Sequence, residues 1–182
     1  MTQRDLPSPE LLRKVMRYDP VCGKLFWLER PEDMFPDTGY GGRKACAAKW
    51  NARFAGKEAM IAVKSWGLYG RVLGKKVYSH RAIWAMQTGQ WPEKIIDHIN
   101  GNPFDNRWSN LREVTYAQNS WNRGLSGRNK SGYKGVSQNK KDGKWYAQIS
   151  VTYGPFDLPD EAAKAYDFAS DYLHGEYKRK FD

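Results

Sequence analysis

Residues Ile96–Asn119, IDHINGNPFDNRWSNLREVTYAQN, decide the fold of this chain and carry its densest group of reactive side chains. Asp97 stands beside His98, a turn-rich loop follows, and Asn110 and Asn119 lie further along. The stretch therefore offers a carboxylate, an imidazole and two carboxamides within one short segment.

The same stretch predicts a strand, a loop, a second strand and a helix. Apolar residues favour a strand over 94–99, and the following Asn-Gly-Asn-Pro is a strong turn signal. We expect a loop to residue 110, a short strand over 111–114, and a helix from Thr115, a good N-cap, to about residue 122. Adjacent strand residues face opposite ways, so the strand must end or bend if Asp97 and His98 share one site.

The side chains match the needs of phosphodiester hydrolysis. An imidazole titrates near neutral pH, so His98 suits a general base. The carboxylate of Asp97 and the amide oxygen of Asn119 are hard ligands suited to one divalent cation, Mg²⁺ or Mn²⁺. The alternative is that Asp97 and His98 are ordinary turn residues and that the asparagines only make turns.

The segment resembles the HNH nuclease motif in its His-Asn-Asn form, which occurs in phage-encoded and homing endonucleases. The resemblance implies a ββα-metal core in which His98 is the general base and Asp97 a metal ligand. It further implies that Asn110 fixes the loop and orients the histidine, and that Asn119 is the second metal ligand.

Composition fits a polyanionic partner. The chain has 182 residues, a net charge of +10 and a pI of about 9.6, which favours nucleic acid although other basic proteins share this balance. Its two cysteines, Cys22 and Cys46, form no CxxC pair, so neither a disulfide framework nor a zinc ribbon is expected. Without a signal peptide or a long apolar run, we expect a cytoplasmic protein that does not enter a membrane.

The part before the motif is rich in aromatic residues. Ser8 and Pro9 open a short helix, and residues 31–58 read as an irregular insert rich in Gly, Pro and charge. The remaining expected elements are strands over 24–28, 60–63 and 76–79 and a helix over 80–88 that ends at Gly89. The aromatic residues here are expected mainly to fill the core.

This part also resembles phage HNH endonucleases. The matching pieces are Tyr18-Asp19-Pro20, Gly23, Leu25, Trp27, His80-Arg81 and Gly89-Gln90-Trp91-Pro92. On this basis Arg81 is a candidate phosphate contact. His80 either lines the site or packs against the sheet.

A second module follows a basic segment. Residues 123–130, RGLSGRNK, favour a flexible linker or an ordered basic loop. Residues 131–151 predict a β-hairpin with an Asp-Gly turn, and Pro159 opens a helix.

Residues 131–182 resemble the apetala, or ethylene-response-factor, DNA-binding domain, which packs a three-stranded sheet on one helix and lays the sheet in the major groove. Tyr133-Lys134-Gly135-Val136, Trp145, Phe156-Asp157 and Ala165-Tyr166-Asp167 carry the resemblance. Residues 151–156 are too short for the family's third strand, so we expect a two-stranded sheet or a stunted edge.

Charge indicates which side of this module faces DNA. Residues 123–144 hold seven basic residues and one acidic residue, whereas residues 145–182 hold four basic and seven acidic ones. Most of these contacts would be to phosphate, which positions a protein without reading sequence. The candidate DNA contacts are Arg81, Arg123, Arg128, Lys130, Lys134, Lys140, Lys141, Lys144, Trp145 and Gln148, although Trp145 is as well suited to packing on the helix.

The sequence thus predicts an α+β protein: an HNH nuclease domain over 1–122 with its core at 94–122, a linker over 123–130, and a DNA-binding domain over 131–182. The expected activity is metal-dependent cleavage of double-stranded DNA by a phage-encoded, homing-like enzyme, with a monomer preferred. The alternatives are a DNA-binding protein that does not cleave and an RNA-directed protein, for which no RNA-specific signature is present.

Overall fold

The structure, a computed structural model, describes residues 6–37 and 41–178. The chain divides into two compact units. The first comprises Met1–His98 and Asn102–Glu113, and the second comprises Ile99–Gly101 and Val114–Asp182. Apart from residues 99–101, the division falls after residue 113, and a domain boundary after residue 122 stays a prediction.

The first unit opens with a capped helix and a small sheet. Helix α1 (Pro9–Val15) begins after Ser8, whose hydroxyl accepts a hydrogen bond from the Leu11 backbone, as predicted. Arg13 joins α1 to the helix over Ser79–Thr88 by donating to the carbonyl oxygen of Met86. The sheet behind α1 is antiparallel and consists of β1 (Met16–Asp19), β2 (Lys24–Trp27) and β3 (Glu58–Ala59).

The prediction of an irregular insert over residues 31–58 is wrong, because helix α2 (Gly42–Phe54) forms there. Residues 43–54 contain four alanines and neither Gly nor Pro, and alanine has the highest helix propensity. Asn51 anchors the helix by exchanging two hydrogen bonds with the backbone of Arg30.

A second antiparallel sheet has three strands, β4 (Ala62–Lys64), β5 (Gly67–Val72) and β6 (Lys75–Tyr78). The sequence analysis missed β5, in which two glycines weaken the strand signal. Gly70 packs closely on Met60, since a Cβ at this position would lie 3.0 Å from Cα of Met60, a tight contact. Helix α3 (Ser79–Thr88) follows and ends at Gly89, whose φ of 78° suits a left-handed C-cap.

The core of the first unit lies between α1, α3 and the sheets. Leu12, Val15, Leu25, Val72 and Ile83 are almost fully buried there. One apolar cluster therefore joins both sheets with α1 and α3.

The motif segment folds as predicted. Strand β7 (Ile95–His98) pairs with β8 (Leu111–Val114), and helix α4 (Tyr116–Trp121) follows. Thr115 caps α4 in a full capping box with Gln118. Ile96 and Leu111 belong to the core cluster, so the two strands are anchored to the rest of the first unit.

The second unit contains a sheet packed on one helix. Its strands are β9 (Val136–Gln138), β10 (Trp145–Gln148) and β11 (Thr152–Phe156), and its helix is α5 (Pro159–His174). The sheet has three antiparallel strands, so the two-stranded alternative is wrong. The turn over 149–151 is short enough for a five-residue strand to fold back onto β10.

The mixed arrangement of helices and small sheets agrees with the predicted α+β class. Within the described ranges, no helix is long and apolar enough to span a membrane.

Candidate active site

Strand β7 ends at His98, and a turn follows. Asp97 and His98 are adjacent in sequence but have different surroundings. Asp97 and His98 are each 7% exposed. Asp97 faces an arginine of the paired strand, whereas His98 faces the loop between β7 and β8. The strand therefore ends at His98, as is needed if Asp97 and His98 are to share one site.

The His98 ring contacts Asn106, an asparagine that is not among the site residues predicted from the sequence. Its Nε2 lies 3.0 Å from Oδ1 of Asn106, a side chain only 1% exposed. An amide oxygen accepts hydrogen bonds, so this contact favours the tautomer with hydrogen on Nε2 and the lone pair on Nδ1. The arrangement orients the ring.

The N-terminal hairpin supports Asn106. The Tyr18 hydroxyl donates to the backbone oxygen of Asn106 over 3.0 Å, and burial raises the pKa of Tyr18, which keeps this donor protonated. A Cβ on Gly23, whose φ is 71°, would lie 2.5 Å from the Arg107 backbone nitrogen. The Tyr-Asp-Pro-x-x-Gly motif thus holds the loop that orients His98.

Asn110 contacts the loop between β7 and β8, and its predicted role in orienting His98 stays a prediction. Its side-chain amide donates to the backbone oxygen of Asp105 over 2.7 Å. The Asp105 carboxylate in turn pairs with Arg107 at 2.6 Å. In this arrangement Asn110 shapes the loop, and Asn106 contacts the His98 ring.

Asp97 is paired with Arg112 across the two strands. The Arg112 Nε donates to Oδ2 of Asp97 over 3.0 Å, and the two side chains are 15% and 8% exposed. The guanidinium fixes the carboxylate and stabilises its charge. A carboxylate has about four lone-pair sites, so this pair is compatible with cation binding by the same group.

Asn119 lies on α4, in the second unit. The capping box at Thr115 fixes the first turn of this helix, and Asn119 follows one turn later. Its role as a metal ligand stays a prediction. No cluster of three or more His, Cys, Asp or Glu side chains suited to a metal ion occurs among residues 6–37 and 41–178.

His80 lies between His98 and Tyr78 of the β4–β6 sheet, so it has contacts of both kinds that the sequence offered as alternatives. The two rings meet edge to face with centroids 5.3 Å apart. Burial lowers the pKa of His80 to about 3, and the neighbouring His98 and Arg81 add to this shift. His80 is therefore neutral at physiological pH and presents an uncharged ring to His98.

Arg81 makes structural contacts. Its guanidinium donates to the backbone oxygens of Pro92 and Lys94, and burial lowers its pKa. These bonds tie α3 to the segment that leads into β7. A phosphate contact by Arg81 stays a prediction.

In the second unit, three predicted DNA contacts take part in internal interactions. Lys134 donates to the backbone oxygens of Trp121 and Arg123. Lys144 pairs with Asp157, and Trp145 packs against the apolar cluster under α5.

The remaining predicted contacts are exposed, and Gln148 lines a groove on the outer face of the sheet together with Ser137, Asn139, Tyr146 and Thr152. The exposed basic residues are Arg123, Arg128, Lys130, Lys140 and Lys141.

Comparison with known proteins points to one family. A family model described as HNH endonuclease matches residues 77–121. Protein 3.8 of Escherichia phage T7 is 32% identical over 106 residues, covering 55% of this chain and 87% of that protein. An uncharacterized HNH endonuclease of Acanthamoeba polyphaga mimivirus is 31% identical over 142 residues, covering 69% of this chain and 75% of that protein. No solved structure matches the chain.

Proposed function

Because this chain belongs to the HNH endonuclease family, we propose that it hydrolyses phosphodiester bonds in double-stranded DNA with His98 as the general base. The observation that carries the proposal is the contact between His98 Nε2 and Asn106 Oδ1. It orients the imidazole at the end of a strand, next to a buried carboxylate. This is the preorganisation that general-base catalysis requires.

The proposed chemical step begins with a water molecule between His98 and the scissile phosphate. His98 Nδ1 accepts a proton from this water as the water oxygen attacks phosphorus and the bond to the leaving oxygen breaks. Asn106 Oδ1 accepts from Nε2–H throughout and stabilises the positive charge that develops on the ring.

Asp97 and Asn119 are the side chains that would hold a divalent cation, Mg²⁺ or Mn²⁺. A bound cation would supply charge neutralisation at the scissile phosphate and the leaving oxygen. An oxygen-rich set with one carboxylate and one amide suits magnesium, which keeps several waters and takes few protein ligands. Arg112 holds the Asp97 carboxylate in a fixed orientation for this role.

We further propose that the second unit is an apetala-type DNA-binding domain and that the protein is phage-encoded, homing-like and active in the host cytoplasm. The three-stranded sheet on α5 supports the first point. The outer groove carries Tyr146, Gln148 and Thr152, which can form hydrogen bonds with base edges. Lys140 and Lys141, on the turn beside this face, are the candidate phosphate contacts.

The experiment that tests the activity is cleavage of supercoiled plasmid in Mg²⁺ or Mn²⁺. Wild type, His98→Ala and an EDTA control are compared, with His174→Gln as a matched histidine variant in the second unit. We expect metal-dependent nicked or linear product from wild type and His174→Gln, and none from His98→Ala.

A wild-type protein that cuts no DNA in either metal but still shifts it in a gel would contradict the proposal and favour DNA binding without cleavage. If cleavage occurs, the ratio of open-circle to linear product distinguishes nicking from double-strand breakage.

A further inference from the structure

One face of the β4–β6 sheet combines cations and aromatic rings and lacks acidic residues. Alternation along the registered strands places Lys64, Tyr69, Arg71, Lys76 and Tyr78 on the same face. The opposite face carries Val72 and Val77, which are buried in the core. We call the first set the β4–β6 face.

The surrounding sequence shares this charge. Between Glu58 and Glu93 the chain has no acidic residue. Among the residues that the structure describes, none of the three cations of the β4–β6 face forms an ion pair. Arg71 and Lys76 are directly opposite each other in the register, an arrangement of like charges that destabilises a sheet. A polyanionic partner would remove this repulsion.

Lys76 is held in place by two tyrosines. Its ammonium lies 4.5 Å from the ring centroid of Tyr69 and 5.2 Å from that of Tyr78. Tyr69 and Tyr78 are cross-strand partners with centroids 6.0 Å apart. Cation–π contacts of this kind fix a flexible lysine without neutralising its charge.

The β4–β6 face leads directly to the catalytic histidine. Tyr78 stacks on His80 with centroids 5.8 Å apart, and His80 meets His98 at 5.3 Å. These contacts limit the distance from Lys76 Nζ to the His98 ring to about 16 Å, or about five nucleotides along one strand at a rise of 3.4 Å.

We propose that the β4–β6 face binds the sugar-phosphate backbone of the duplex next to the scissile phosphate, with Lys76 as a fixed phosphate contact and Lys64 and Arg71 as its neighbours. This inference rests on the proposed function, since it concerns how the substrate DNA reaches His98. The partner is a DNA duplex, because the face offers backbone contacts and no groove-reading amides.

The test measures the affinity of the full chain for a labelled duplex over a series of salt concentrations. The His98→Ala background keeps the DNA intact. Loss of one phosphate contact should reduce the slope of log affinity against log salt by about one. We expect this reduction for Lys76→Ala, and we expect Lys76→Arg to restore the slope because it keeps the charge.

Lys75→Ala is the matched control. Lys75 precedes Lys76 on the same strand, is exposed, and belongs to the opposite face. Lys75→Ala should therefore have the same slope as the His98→Ala protein without a lysine change. Equal slopes for Lys75→Ala and Lys76→Ala, or absence of duplex binding, would overturn the inference.

Binding and cleavage separate this inference from the proposed function. A wild-type chain that does not cut, together with a slope change confined to Lys76→Ala, would refute the nuclease and retain the binding face. Cleavage by wild type, together with equal slopes for Lys75→Ala and Lys76→Ala, would support the nuclease and refute the binding face.

Discussion

Asn106 Oδ1 lies 3.0 Å from Nε2 of His98, and both side chains are buried. The backbone of Asn106 is in turn held by the hydroxyl of Tyr18. The His98 ring is therefore positioned by a residue eight places away in the sequence and, through it, by the N-terminal hairpin.

Asn106→Ala should reduce the cleavage rate by about 100-fold, because misplacement of a catalytic group by about 1 Å costs this much. It should also lower the free energy of unfolding by about 1–3 kcal/mol, since a buried ring N–H loses its acceptor. Single-turnover cleavage and urea unfolding measure the two effects.

Asn106→Asp should move the acid limb of the pH–rate profile to higher pH, because an added carboxylate beside Nε2 favours the protonated imidazole. Gln87→Glu is the control, because it adds the same charge at an exposed position of α3 and should keep the wild-type profile. A shift in Gln87→Glu, or none in Asn106→Asp, would refute the assignment of Asn106 as the positioning residue.

Gly23→Ala should destabilise the protein more than Gly74→Ala. Both glycines have φ in the left-handed region, where a Cβ alone costs about 1–2 kcal/mol. Only at Gly23 would the Cβ also meet the backbone of Arg107, whereas nothing lies within 4 Å at Gly74. Urea unfolding measures the difference, and equal losses would show that Gly23 does not contact the catalytic loop.

Arg112→Met should lower the free energy of unfolding by about 3–5 kcal/mol, because it removes the guanidinium from a buried carboxylate. The double variant Asp97→Asn/Arg112→Met should lose less free energy of unfolding than the two single variants lose together. The difference should be about 0.5–3 kcal/mol. A double-mutant cycle in urea checks this coupling, and strictly additive losses would show that the pair at 3.0 Å does not interact.

Acid should destabilise the protein through His80. Its Nδ1 is buried and makes no hydrogen bond to any described residue, and its folded pKa of about 3 is far below its ordinary value of 6.5. Between about pH 3 and pH 6.5 the unfolded state binds up to one more proton than the folded state. The free energy of unfolding therefore rises by up to about 1.4 kcal/mol per pH unit, and this contribution is fully present above about pH 6.5.

The variant His80→Phe should flatten this dependence. Urea unfolding of both proteins at about pH 7 and about pH 5 gives the two slopes. The same loss of stability on acidification in wild type and in His80→Phe would show that another group is responsible.

Much of the local structure was predictable because local signals determine it. Ser8 and Thr115 are strong N-caps, and each begins a helix in the structure. The apolar strand before the Asn-Gly-Asn-Pro turn ends at His98. Helix α2 and strand β5 were missed, since flanking glycines and charges obscure the alanine-rich helix and two glycines interrupt the strand pattern.

The sequence by itself determined the set of reactive side chains, their placement at the end of a strand and on the following helix, and the basic character of the chain. It did not determine which side chains meet. Tyr18 and Asn106 are 88 residues apart, and the packing of the hairpin on the loop decides their contact. Asn106 reaches His98, and Arg112 reaches Asp97, because side-chain contacts across a fold depend on how the elements pack in three dimensions. Turn and helix propensities, which act over a few residues, do not contain this information.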